Sequence, residues 1–226
     1  MTNIDNLITQ IQTEAESAEF PIDTPVYESA QKNPLAPILY FGNLNSGICF
    51  FGRDLGKDEV IAGQPLIGAA GSLVRKGFYK AVYREDTNDA KKLASIGDRL
   101  ILTNTVPYKP PGNKAYTQKV KKRFRPYVAQ LLAYHWQGTE IITLGTEAFK
   151  WFQAYSTKEE FDNFWKQGDR RYESSLSVKI TCNNPQGEAI AKQVNIYPLP
   201  HPSPLNQRYY YKFPNMLQNT IARLPL

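Results

Sequence analysis

Cysteine is scarce in this chain: among 226 residues there are only Cys49 and Cys182. Two thiols cannot build a disulfide framework, nor an iron–sulfur or zinc centre made of cysteines alone. Histidine is as rare, with His135 and His201 the only two. No window approaches the roughly 20 consecutive apolar residues that a membrane-spanning helix needs. The stretch from Met1 to Glu19 holds acidic side chains and no basic one. The expectation is therefore neither signal peptide nor membrane anchor, no membrane partner, and a reducing, cytoplasmic setting. A Gly-x-Ser-x-Gly elbow, a Walker lysine loop and a Rossmann glycine fingerprint are all missing, which leaves an unrelated α/β hydrolase or nucleotide-binding enzyme without support.

What is present is a globular composition, 42% hydrophobic and 21% charged, with a generous 12% of aromatic residues. That excludes a disordered or fibrous chain, and the length suits one good-sized domain. The formal charge of +6 says little by itself. Its distribution says more, because Lys119-Val-Lys-Lys-Arg-Phe-Arg125 follows Lys109 and Lys114 at the start of a long helical pattern. Such a run is either a solvated helix face or a surface for phosphates.

Ile4, Leu7, Ile8 and Ile11 recur at helical spacing, so a short amphipathic helix is expected over Thr2 to Ala18. Pro21, Pro25, Pro34 and Pro37 prevent its continuation. Residues 1–46 thus read as a lead-in packed on a domain covering 47–226. In that domain apolar runs at 47–51, 100–102, 141–144 and 194–199 alternate with helical patterns at 69–83, 116–136 and 146–155, and a last helix is expected over 214–224. Short continuous apolar runs suit buried parallel strands. The expected fold class is α/β, a three-layer α/β/α sandwich with a central, mostly parallel sheet of about four strands. The segment 158–187 adds a helix near Phe161 to Trp165 and a hairpin through Leu176 to Ile180.

Ligands of open parallel sheets sit outside the carboxyl ends of the strands. Three loops expected there are unusual: Gly52-Arg-Asp-Leu-Gly-Lys-Asp-Glu59, Thr103-Asn-Thr-Val-Pro-Tyr-Lys-Pro-Pro-Gly-Asn113 and His201-Pro-Ser-Pro-Leu-Asn206. The last sets a histidine in a proline-framed turn whose rigid backbone suits close approach to a sugar–phosphate chain.

Together the three loops resemble the uracil-DNA glycosylase superfamily over roughly residues 47 to 226, most closely its bacterial and archaeal family 4. Gly52-Arg-Asp-Leu-Gly56, Asp58, Glu59, Gly63-Gln-Pro-Leu-Ile-Gly68 and Gly71 follow the spacing of the first motif. Thr103-Asn-Thr-Val106 with Pro110-Pro-Gly-Asn-Lys114 follows the second, and His201-Pro-Ser203 the third. Arg53 stands where the family has a glutamate, and Leu66 where it has a stacking phenylalanine. Tyr108 takes the place of a cluster cysteine, so no iron–sulfur cluster, metal or other cofactor is expected.

The resemblance implies a monomeric base-excision glycosylase whose partner is DNA carrying a damaged base, uracil or a relative, flipped out of the stack. His201 would stabilise the charge gathering on the departing base. Asp54, Asp58 or Glu59 would position water. Asn104 would read the base edge through its paired donor and acceptor, with Leu66, Gly52, Arg53 and Phe51 forming the rest of the base site. Leu205 would wedge into the gap left in the duplex. Ser72, Lys109, Lys114, Ser203 and Arg208 would meet the DNA backbone. The alternative is a nucleic-acid-binding relative that has lost turnover, a reading encouraged by Arg53 and Leu66.

Overall fold

The computed structural model describes residues 4–112 and 114–225. Thr2 and Asn3 of the expected first helix, and Asn113 of the Pro-Pro-Gly-Asn string, lie outside the described residues. The chain runs α1 (Ile4–Ser17), α2 (Thr24–Ser29), β1 (Tyr40–Gly42), β2 (Ile48–Gly52), α3 (Lys57–Ala62), α4 (Ala69–Tyr83), α5 (Ala90–Ser95), β3 (Leu100–Asn104) and α6 (Gln118–Gln130). It continues through β4 (Glu140–Leu144), α7 (Thr146–Trp151), α8 (Lys158–Trp165), β5 (Leu176–Asn183), β6 (Ala189–Leu199), α9 (Gln207–Tyr210) and α10 (Phe213–Ile221).

The sheet order is β1-β3-β2-β4-β6-β5. The inner four strands are parallel, and β1 and β5 pair antiparallel at the two edges. The sheet therefore has six strands where about four were expected. β1 is only three residues long and hides in the proline-rich lead-in. On the other edge, β6 begins at Ala189, earlier than its apolar run, because its polar half pairs with β5 as a hairpin from Leu176↔Ile196 to Asn183↔Ala189. The helix expected over 116–136 is α-helical only to Gln130 and closes with a π-helical turn over Leu131–His135.

Alternation along β2 divides the core into two layers. Cys49 and Phe51 face α6, α7 and α8 among Val128, Trp151 and Phe161. Ile48 and Phe50 face α4 and α10 among Val74, Phe78 and Leu217. Helices thus cover both faces of the sheet, as parallel strands buried on both sides require.

The lead-in is tied to the rest at several points. Leu7, Ile11 and Ala15 of α1 pack with Tyr108, Val120 and Phe124. Lys109 extends its amine to Asp23 at 2.6 Å and to the carbonyls of Pro110 and Gly112. No described helix is long and apolar enough to cross a membrane, and no three or more described His, Cys, Asp or Glu side chains group to hold a metal ion.

Candidate active site

The inner strands end in register. Gly52 lies opposite Asn104 on the neighbouring strand, and Leu144 opposite Leu199. Just beyond these ends is a pocket of about 250 Å³ lined by Gly52, Arg53, Asp54, Glu59, Leu66, Asn104, Leu144 and His201, with Lys57 and Asp58 also on its wall. All three unusual loops converge on it.

Asn104 is 3% exposed, and its Oδ1 is shielded from solvent with no hydrogen-bond partner among the described residues. The space it occupies exists because position 52 is glycine: a Cβ there would sit 2.1 Å from Asn104 Oδ1. A buried acceptor left unpaired costs about 1–3 kcal/mol. Here the residue that carries it lines a cavity that a ligand can enter.

Asp54 is the buried carboxylate of the pocket, its side chain 3% exposed. Arg53 Nε stands 2.8 Å from Asp54 Oδ2 as an ion pair, and both carboxylate oxygens are sealed from solvent. Burial raises the Asp54 pKa, and the cations of Arg53 and Lys121 only partly oppose it. The backbone beneath is fixed: Thr105 N donates to the Gly52 and Arg53 carbonyls at 3.2 and 3.0 Å, and the Thr105 hydroxyl also donates to Arg53 O.

His201 stands at the pocket mouth, open to solvent on one side and crowded by Gly145 on the other. A Cβ at Gly145, whose φ of +92° already excludes most side chains, would approach His201 Cβ to 3.0 Å. The Asn206 side-chain amide donates to His201 O at 3.1 Å, fixing the backbone. Desolvation, with Arg53 adding charge repulsion, holds the imidazole below the ordinary histidine range. It is thus neutral at pH 7, able to donate one hydrogen bond. Arg53→Gln removes the repulsion, so the His201 pKa is expected to rise. Proton NMR titration of the two histidines reads this directly, with His135, whose pKa is lowered by burial alone, as an internal control.

The far wall of the pocket is held in an unusual backbone. Leu66 has φ +55°, a left-handed conformation costing a non-glycine residue about 1–2 kcal/mol. Two charged side chains hold it there. Arg75, 5% exposed, donates from Nε to Leu66 O at 2.8 Å and from Nη2 to Pro65 O at 3.1 Å. Glu59 accepts from the amides of Ile67 and Gly68 through Oε1 and from Gly56 N through Oε2. Burial lowers the Arg75 pKa to about 10, so it remains charged at neutral pH. Arg75→Met leaves two buried carbonyls unpaired and is expected to cost about 2–4 kcal/mol of stability, measured by urea unfolding.

The expected site residues are placed as follows. Gly52, Arg53, Asp54, Asp58, Glu59, Leu66, Asn104 and His201 come together, but both Glu59 oxygens are engaged by backbone amides and Asp58 is on the exposed rim. Phe51 is not brought to the pocket; its fully buried ring packs on Trp151 and Phe152 across the sheet, because it points to the face opposite Gly52. Among the described residues no Phe, Tyr or Trp lines the pocket. Leu205 is 94% exposed on the His201 loop, beside half-buried Ser203. Ser72 is half-buried in α4, outside the pocket lining. Lys114 is exposed, whereas Lys109 is 4% exposed and has its amine taken up by Asp23 and carbonyls, so it is not free for a phosphate. Arg208 is exposed but pairs with Asp169 at 2.8 Å. Within the basic run, Lys121 is buried against Glu147 and Arg123 pairs with Glu14; Lys119 and Lys122 are exposed.

Arg75 and Lys57 were not singled out from the sequence. For Arg75 a signal existed: with Gly71 and Phe78 it falls on one buried helical face. Lys57 carries no such signal.

A parallel-sheet sandwich with an amide, a carboxylate and an imidazole around a base-sized pocket defines a class, and a family model agrees: the chain belongs to the uracil DNA glycosylase superfamily, which it matches over residues 39–224. More particularly, it is similar to the type-4 uracil-DNA glycosylase of Archaeoglobus fulgidus, with 31% identity over 94 residues. That match covers 40% of this chain and 40% of the relative.

Proposed function

We propose that this protein is a monofunctional, monomeric DNA glycosylase, acting in the cytoplasm, that hydrolyses the N-glycosidic bond of uracil or a closely related damaged base flipped out of DNA. The observation that carries this reading is the buried, unpartnered Asn104 Oδ1 in a pocket of about 250 Å³. A uracil edge presents an N–H beside a carbonyl, and the Asn104 amide offers the matching acceptor and donor. Cytosine reverses that pattern and would leave both groups mismatched.

In this reading the ionised Asp54 orients a water against the sugar C1′. The water oxygen bonds to C1′ while the C1′–N bond breaks, and its electron pair leaves with the base as an anion. Asp54 takes the proton released by the water. The neutral His201 donates a hydrogen bond to the base oxygen that gains charge, and the Arg53 cation lowers the energy of the same anion. Leu205 fills the space left in the base stack.

Asn104→Ala tests the assignment of the amide. The single-turnover rate on a uracil-containing oligonucleotide is expected to fall by about 10²–10³, while the melting temperature stays level or rises because an unpaired buried acceptor has been removed. A rate equal to wild type sinks the assignment. The second reading, a DNA-binding relative without turnover, is favoured by Arg53 standing where the resemblance places a glutamate; it predicts binding and no base release from any variant.

A further inference from the structure

A second cleft of about 550 Å³, sharing no residue with the base pocket, opens between α6 and the β5–β6 hairpin, and Lys122, Arg125, Gln130, Tyr155 and Asn183 are among its walls. Among the described residues no Asp or Glu lines it. Two carboxylates bond to its lining from outside: Glu14, also held by Arg123, accepts from Tyr127, and Glu188 accepts from Asn184.

Other donors around this cleft are unspent. Arg125 lies over the Trp151 ring at 5.6 Å, a stacking that leaves its in-plane N–H groups free. Its Nε is shielded from solvent and has no hydrogen-bond partner among the described residues, and no ion pair includes Arg125 or Lys122. Gln130 is 7% exposed, and neither its amide nor the Tyr155 hydroxyl makes a side-chain hydrogen bond among the described residues. Burial raises the Tyr155 pKa, so that hydroxyl stays protonated and can donate. Several other shielded cations are paired, as Lys109, Lys121 and Arg123 are. A cleft rich in donors and without a carboxylate suits an anion with several acceptor oxygens, and a planar guanidinium suits a phosphate.

We propose that this cleft binds a phosphate-bearing ligand of mononucleotide size, with the phosphate on Arg125 and Lys122 and a polar edge on the Gln130 and Asn183 amides. The volume exceeds what a bare phosphate fills and falls in the range of small-molecule sites. The phosphate can come from a free nucleotide or from a nucleotide of a strand. The proposal is independent of the glycosylase reading, since the two sites share no residue.

Isothermal titration with deoxyadenosine monophosphate as the probe tests it. Saturable one-to-one binding is expected, weakened at least about tenfold in Arg125→Gln through loss of charge-assisted hydrogen bonds, and weakened again when the probe is deoxyadenosine. Lys122→Gln, at an exposed position that leaves folding intact, is expected to weaken binding too, whereas Asn104→Ala leaves it unchanged. A uracil-free single-stranded oligonucleotide that displaces the probe identifies a strand as the source; failure to displace it identifies the free nucleotide. Absence of saturable binding, equal binding of the nucleoside, or binding unmoved in both Arg125→Gln and Lys122→Gln overturns the proposal.

Discussion

Replacing Asp54 with asparagine is expected to slow base release by about 10²–10⁴, the usual contribution of a positioned general base. The carboxylate has to be ionised to orient water and accept its proton. Because burial holds its pKa above the ordinary value of 3.8, activity should fall as pH drops through that raised value. The acid limb of the rate profile thus lies at higher pH than a solvent-exposed aspartate would give, and Asp54→Asn should flatten it. Stability moves the opposite way. A carboxyl whose folded-state pKa exceeds its unfolded one favours folding when protonated, and that contribution is lost as pH rises through the folded value. At neutral pH the asparagine variant is therefore expected to melt at the same or a higher temperature than wild type. Thermal melts beside the rate measurements separate this outcome from simple damage to the fold, in which activity and stability fall together.

His201→Ala is expected to lower the single-turnover rate by about 10²–10³, the range seen when one donor to a developing oxyanion is removed, with little change in affinity for the DNA. The hydrogen bond strengthens only as charge accumulates on the departing base, so its loss acts on the transition state more than on the bound substrate. Fluorescence anisotropy with a labelled oligonucleotide measures the affinity, and single-turnover cleavage measures the rate. An equal loss in both would assign His201 to binding. Alanine keeps the His201 Cβ, the side-chain atom nearest Gly145, so no destabilisation of the loop is expected.

These side chains were legible in the sequence because parallel strands fix where chemistry can occur. Gly52, Asn104 and His201 each lie at or just past the carboxyl end of an inner strand, and loops at those ends converge whatever the helices between them do. Phe51 was less legible. The run Ile48-Cys-Phe-Phe-Gly52 is apolar throughout and carries no alternation from which to tell the face of each residue, and Phe51 proves to belong to the opposite layer. Charged residues were read less well for a related reason. Lys109, Lys121 and Arg123 belong to a string that looks basic, but their partners Asp23, Glu147 and Glu14 are distant in sequence, so the pairing emerges only when α1, α2 and α7 pack. The left-handed turn at Leu66 had no local signal, since glycine or asparagine is the usual occupant; it exists because Arg75 and Glu59 grip the peptide groups on either side. The hairpin through Leu176 to Ile180 was legible and supplies the edge strand β5, whereas the three-residue edge strand β1 gives no apolar run to detect.

The most direct test is to incubate excess protein with a single-stranded oligonucleotide containing one uracil and to measure free uracil and alkali-labile abasic sites together. The account predicts one free uracil for each abasic site, with both products falling steeply in Asp54→Asn, His201→Ala and Asn104→Ala. Intact oligonucleotide after prolonged incubation with wild type, repeated with hypoxanthine, xanthine and alkylated bases, would contradict the glycosylase reading and leave a DNA-binding protein with an unused base pocket.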